Sequence, residues 1–233
     1  MSSIESIINR QIGQWELQIR EKRQPPPTPV PISPIVTVSR EHGSQGAYFA
    51  HMLAERLGFQ LMHKEIIETI ADTSGYRKRL IAALDEKYKS QLQVMVQSLL
   101  TGQAVDHNDY NRHLYATILS MSRLGGVILV GRGGNFIIGP QRGFHLRFVC
   151  PIPIRIENLI KYKNLNRAEA EKAIERIDNE RRDMVRKLFK ADIDNPHYYD
   201  LLINTATVDL DAILPVMVDL INSKLKKMAK QAG

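Results

Sequence analysis

Ser39 to Gly46 (SREHGSQG) is a small, polar, glycine-bearing stretch between two apolar segments, and its residue types suit an anion. Glycines at 43 and 46 let the backbone approach a ligand closely. Arg40 supplies a charge that persists at neutral pH, and Ser44 a hydroxyl. The usual phosphate-loop signature, Gly-x-x-x-x-Gly-Lys-Ser/Thr, puts a lysine on the β/γ phosphates and a hydroxyl on magnesium. Aligned on Gly43-Ser44, this chain has Arg40 for the first Gly, Gln45 for the second and Gly46 for the Lys. Ala47 and Tyr48 stand where hydroxyl residues belong. The signature therefore fails letter by letter. Two glycines survive, with Arg40 and Ser44 able to replace the missing charge and hydroxyl; a glycine turn without a ligand is the plain alternative.

The flanking residues set the loop in context. Ile35, Val36, Thr37 and Val38 form a β-branched run suited to a buried strand. From Ala47 the period becomes helical through Phe49, Leu53 and Leu57, with Gly58 as a stop. Strand, glycine loop and helix in succession place backbone N–H groups and a helix N-terminus together, which is a ready anion site.

The 233 residues are 43% hydrophobic and 24% charged, as in ordinary globular proteins. No apolar run approaches the ~20 residues that cross a bilayer, no leader is expected, and the chain is placed in the cytoplasm. The single cysteine, Cys150, ends an apolar run and is expected as a buried thiol. The net charge of +7 fits an anionic ligand. No zinc spacing, aromatic RNA motif or DNA-reading helix accompanies it, so neither nucleic acid nor a membrane is expected as a partner.

Residues 1–24 are expected to form an amphipathic helix with Ile4, Ile8, Ile12, Trp15 and Ile19 on one stripe. Residues 25–34 hold six prolines in ten positions, an expected polyproline II connector. Residues 35–233 make the main domain. A helix this short does not hold its apolar stripe alone in water, so a homodimer joined through it is expected, with Trp15 as anchor. Within the main domain, further helices are expected over 64–71, 76–100, 111–124, 157–191 and 210–229, and further strands over 126–130, 144–150 and 201–205. Strands alternating with helices imply a parallel sheet covered on both faces.

Four segments, IVTVSREHGSQG, LGFQLMHKEII, GVILVGRGGNFII and YYDLLINT, occur in an order that resembles the cytidylate kinase-like family of P-loop nucleoside monophosphate kinases. The resemblance runs from about Ile35 to Ile221. It implies a P-loop kinase-like three-layer α/β fold, with a central parallel sheet, helices on both faces and the N-terminal helix as an extension. It further implies ATP-dependent phosphoryl transfer to a nucleoside monophosphate or similar small phosphorylated acceptor, with Mg2+ bridging the donor phosphates. Ser39, Arg40, Glu41, His42, Gly43, Ser44, Gln45, Gly46 and Ala47 match the donor loop. His63, Lys64 and Glu65 match a segment near the monophosphate site, where the family usually has Asp-Lys-Glu. Arg132, with Gly133 and Asn135 beside it, matches the arginine that holds the acceptor phosphate. Arg181, Arg182 and Arg186 fall on the region resembling the lid. Guanidinium suits such roles, because it grips phosphate in two-pronged fashion and keeps its charge.

The chain also departs from the family. Gln45 replaces a usual Gly, Gly46 stands at the lysine position, His63 replaces Asp, and Val130 stands where cytidylate kinases carry Asp before the Gly-Arg pair. These changes keep a second reading open, a nucleotide-binding protein of the same fold with little or no transferase activity and a regulatory or assembly role. Arg132 could instead cap a helix or pair with Glu65, and the lid arginines could form surface pairs with Glu175, Asp178, Glu180 and Asp183.

Overall fold

A computed structural model describes residues 3–22, 35–101 and 108–232. The proline connector lies outside the described residues. A first helix, α1, runs over Ser3–Lys22. Among the described residues five strands follow: β1 (Ile35–Arg40), β2 (Gln60–Met62), β3 (Val127–Val130), β4 (Phe144–Val149) and β5 (Leu201–Asn204). They form one parallel sheet in the order β2-β3-β1-β4-β5, with Val38 beside Val130 on one side and beside Leu146 on the other. The short strands are apolar because both faces of the sheet are covered.

On one face Val36, Val38, Ile128, Val130, Leu146 and Phe148 pack against α2 (Gly46–Leu57) and α10 (Leu210–Ala232). On the other, Ile35, Met62, Val127 and Leu129 meet α3 (Lys64–Asp72), α4 (Ser74–Ala82), α5 (Glu86–Leu100), α6 (Asn108–Leu124) and α7 (Gly134–Ile138). This is the expected three-layer arrangement. Beyond the sheet, α8 (Ile152–Lys163) and α9 (Arg167–Phe189) form a hairpin with its own small core of Ile156, Leu159, Ala170 and Ile174.

Two expected helices are each two. The stretch 76–100 breaks before Asp85, whose carboxylate accepts the Tyr88 N–H at 2.8 Å and starts α5. The stretch 157–191 breaks at Asn164, which closes α8 in a left-handed conformation, and Asn166 reopens a helix with a capping box to Glu169. Here side-chain hydrogen bonds to the backbone outweigh a continuous helical pattern.

α1 docks on its own chain. Ile8, Ile12 and Trp15 join the core beside α3 and α4, and the Trp15 indole donates to the Gly125 carbonyl at 3.1 Å. Arg79 of α4 grips Glu16 and Asn9 from the other side. Trp15 is therefore not the intersubunit anchor expected above. Its apolar surface finds cover within reach, which is what an amphipathic helix requires.

Candidate phosphate-binding site

The C-terminal ends of β1 and β3, with His63 just past β2 and Thr205 just past β5, open into a cleft of ≈ 1370 Å³. Single-ligand pockets are usually ~300–1,000 Å³, so this space is larger than one small ligand needs. β1 is the central strand, and ligands of open α/β sheets lie at the carboxyl ends of such strands.

The loop from Glu41 to Gln45 lines one wall of the cleft. Gly43 lies at φ +82°, and a Cβ there would sit 2.8 Å from the Arg155 carbonyl oxygen. Gly46 is glycine for a different reason: a Cβ would meet Phe148 at 2.8 Å and the Arg40 Cβ at 2.9 Å, so the first turn of α2 is pressed onto the sheet. Gln45 also adopts a left-handed conformation, φ 60°, and provides no side-chain cap for α2. The first N–H groups of a helix have no intrahelical acceptor, and here they face the cleft with a partial positive charge. The Gln45 amide instead donates to Asn158 Oδ1 at 2.9 Å, which holds a strained non-glycine residue in place.

The α8–α9 hairpin clamps the loop from outside. Asp178, buried on α9, accepts the His42 N–H at 2.9 Å and pairs with Arg155 of α8. Asn158 donates to the Gly43 carbonyl at 2.9 Å, and Arg181 to the Arg40 carbonyl at 2.8 Å while also pairing with Asp178. The Glu41 carboxylate is engaged by the backbone, accepting the Cys150 N–H at 2.8 Å. Ser44 is buried with its hydroxyl donating to the Glu41 carbonyl at 2.9 Å, so that hydroxyl is already engaged.

Arg40 differs from these. Its Nη1 lies 2.6 Å from where a Gly131 Cβ would stand, and among the described residues its guanidinium makes no ion pair within 4 Å. Burial, reinforced by the nearby charge of Arg181, pushes its pKa down to about 9, and it stays protonated at neutral pH. Arg132, at φ 54°, lines the same cleft and is held by Glu68, Nη2 to Oε1 3.0 Å. The Tyr110 hydroxyl donates to the same Glu68 oxygen at 3.1 Å. The pairing partner is thus Glu68, one turn beyond Glu65. His42 and His63 both titrate below the ordinary histidine range, chiefly through burial, so each is neutral at pH 7.

Most of the residues singled out from sequence come together here. Ser39 to Ala47, His63, Lys64, Glu65, Arg132, Gly133, Asn135 and Arg181 all line the cleft. Some are turned to structural work: Ser39 accepts from Arg147 at 2.9 Å, and Asn135 donates to the Tyr198 carbonyl at 3.4 Å. Arg182 and Arg186 are not part of the cleft. They line a separate space of ≈ 570 Å³ with Lys190 and Asp194, and pair locally with Asn179 and Asp183. Sequence reasoning missed Arg155 and Asn158 and gave Asp178 only a surface role. Asp178 had a visible signal: it sits on the apolar stripe of α9 with Ala170, Ile174 and Val185, where an acid needs a buried partner.

The residues fit a polyphosphate better than a protein-held metal. Open amides, a cleft-facing cation and glycines without room for a Cβ make an anion cradle. Among the described residues no group of three His, Cys, Asp or Glu side chains could hold a metal.

The model of the cytidylate kinase-like family matches residues 35–207. A cytidylate kinase of Methanocaldococcus jannaschii is 25% identical over 128 residues, 53% of this chain and 71% of that protein. A uronate isomerase of Corynebacterium glutamicum is 31% identical over 96 residues, 41% of this chain but only 18% of that much longer protein. The crystal structure of an uncharacterized protein from Eubacterium ventriosum superposes with a TM-score of 0.63 at 18% identity, covering 82% of this chain and 99% of that one, and so shares the fold. With the matched residues running from β1 through the end of β5 and including the loop, the Gly-Arg-Gly-Gly turn and the clamping hairpin, the chain belongs to the cytidylate kinase-like family.

Proposed function

We propose that the protein transfers a phosphoryl group from ATP to a nucleoside monophosphate or a similar small phosphorylated acceptor. One observation carries this reading: Arg40, a buried cation with no ion-pair partner within 4 Å among the described residues, lies in one cleft with the open amides of α2 and with Arg132 and Arg181. Bringing Arg40 close to Arg132 and Arg181 is unfavourable until an anion neutralises the group. The donor phosphates belong on the loop from Glu41 to Gly46, and the acceptor phosphate beside Arg132. Phosphoryl transfer depends mostly on positioning and charge neutralisation, which these groups supply. Mg2+ would neutralise the donor's phosphate oxygens, held mainly by them and by water, as is common for this ion. A dimer bridged by Trp15 is no part of this reading.

A second reading has its own support. The Ser44 hydroxyl is engaged by Glu41, and an acid from the hairpin occupies the His42 amide. Both weaken the loop as a catalytic device and favour a nucleotide-binding protein with a regulatory role. Screening ATP against all nucleoside monophosphates, with magnesium and with manganese, separates the two. Slow transfer, below the ~1–100 s⁻¹ usual for kinases, is expected; clear ATP binding without transfer to any acceptor would leave the regulatory reading.

A further inference from the structure

Tyr48 and Tyr162 are the large apolar side chains left most open in the cleft. Tyr48 is 56% exposed on the first turn of α2, and Tyr162 is 58% exposed near the end of α8. Isolated exposed aromatics are ordinary on protein surfaces. These two are not isolated from each other. Tyr48 comes three residues after Gln45, the left-handed residue that leads into α2, and Tyr162 stands one turn beyond Asn158 on the same face of α8. Gln45 and Asn158 are themselves joined, Nε2 to Oδ1 2.9 Å. A hydrogen bond thus ties the entry to α2 to α8, with a tyrosine soon after it on each helix and both lining the same cleft. The Lys161 ammonium lies 4.9 Å from the centre of the Tyr162 ring and adds positive charge at this end.

We propose that Tyr48 and Tyr162 form an aromatic clamp for the base of the nucleotide whose phosphates occupy the glycine loop. The inference rests on the phosphate-binding reading of that loop. The loop amides and Arg40 take the phosphates, and the tyrosines take the far end of the same molecule. A tyrosine ring carries a large apolar face at low entropic cost. Leaving two of them open beside a charged cradle makes sense when a flat ring covers them. Stacking uses the π-face common to every base, so the clamp favours nucleotides over bare polyphosphate without choosing among bases. It makes the ligand class a nucleoside triphosphate rather than an inorganic one.

The test compares ATP, CTP and inorganic tripolyphosphate by isothermal titration on the full chain. The variants are Tyr48→Leu, Tyr162→Leu, and Tyr48→Phe as the conservative control. Both positions are exposed, so folded protein is expected in each case, and thermal unfolding checks it. The expected result is a loss of ATP and CTP affinity of about tenfold for each Leu variant, with tripolyphosphate binding unchanged and Tyr48→Phe close to wild type. Equal ATP affinity in wild type and both Leu variants overturns the clamp and leaves the phosphate loop standing. Parallel losses of ATP and tripolyphosphate also overturn it, since the tyrosines would then act on the loop rather than on a base. A wild-type protein that binds none of the three overturns the loop reading and the clamp with it.

Discussion

The carboxylate of Asp178 accepts the backbone N–H of His42 at 2.9 Å, across 136 residues of sequence. The same carboxylate pairs with Arg155 and Arg181, so one buried acid holds the loop, α8 and α9 in register. Removing one partner of a buried ion pair typically costs roughly 3–5 kcal/mol. Asp178→Asn keeps the shape and can still accept the His42 N–H, so it isolates the charge. It is expected to lower the unfolding free energy, read from the urea midpoint and slope, by an amount in that range. An unchanged midpoint would show that the two arginines find other partners.

Gly43 leaves no room for a side chain in the loop. With φ at +82° and the Arg155 carbonyl 2.8 Å from where a Cβ would stand, even alanine is expected to displace the hairpin. Gly43→Ala should cost about 1–3 kcal/mol of stability and remove thermal protection by ATP. Wild-type protection should be about 2.7 kcal/mol at a hundredfold excess over Kd. Full protection in Gly43→Ala would take the phosphates off this loop.

Arg132 is pre-set by Glu68, which Tyr110 steadies in turn. Arg132→Lys keeps the charge and loses the planar two-pronged grip. Monophosphate affinity is expected to fall tenfold or more, with affinity for the corresponding nucleoside unaffected. Competition binding reads both. Equal loss for monophosphate and nucleoside would mean that the substitution disturbs the pocket rather than one phosphate contact.

His145 predicts an acid limb in stability. Its Nε2 faces the Gly139 carbonyl at 3.0 Å and so carries the proton, leaving Nδ1 to accept the Thr37 hydroxyl at 2.8 Å. Burial lowers its pKa below the ordinary 6.5. The unfolded chain then binds more protons than the folded one once the pH drops below about 6.5, so stability is full above that value and falls as pH decreases. His42 and His63 shift in the same direction. Urea titrations between pH 7.5 and 5 are expected to show this slope, and His145→Gln should make it shallower. A parallel slope in the variant would assign the acid limb to other groups.

The strands and the glycine loop were legible because their signals are local. Four residues from Ile35 to Val38 suffice for a buried strand, and Phe49, Leu53 and Leu57 for the helix after it. The groups that set the loop's shape were not local: Arg155, Asn158 and Asp178 meet it from more than a hundred residues away. The lid arginines show the limit most plainly. Arg181 and Arg182 are neighbours in sequence, but a helix turns by about 100° per residue, so one enters the cleft and the other faces away. The fate of the Ile8–Trp15 stripe was likewise undecided by sequence, since a stripe announces that it will be buried without saying against what.

The bond from Trp15 to Gly125 closes a loop of 110 residues. Closing so long a segment carries an entropic penalty that grows as (3/2)RT ln n, about 4 kcal/mol for this span. Until β3 and the helices around it have formed, α1 has nothing to offset that penalty. It is therefore a late arrival in folding and the first piece to leave on mild destabilisation. Amide exchange should find α1 opening at lower free energy than β1 and β3, leaving the sheet and the helices packed on it as the unit that unfolds last.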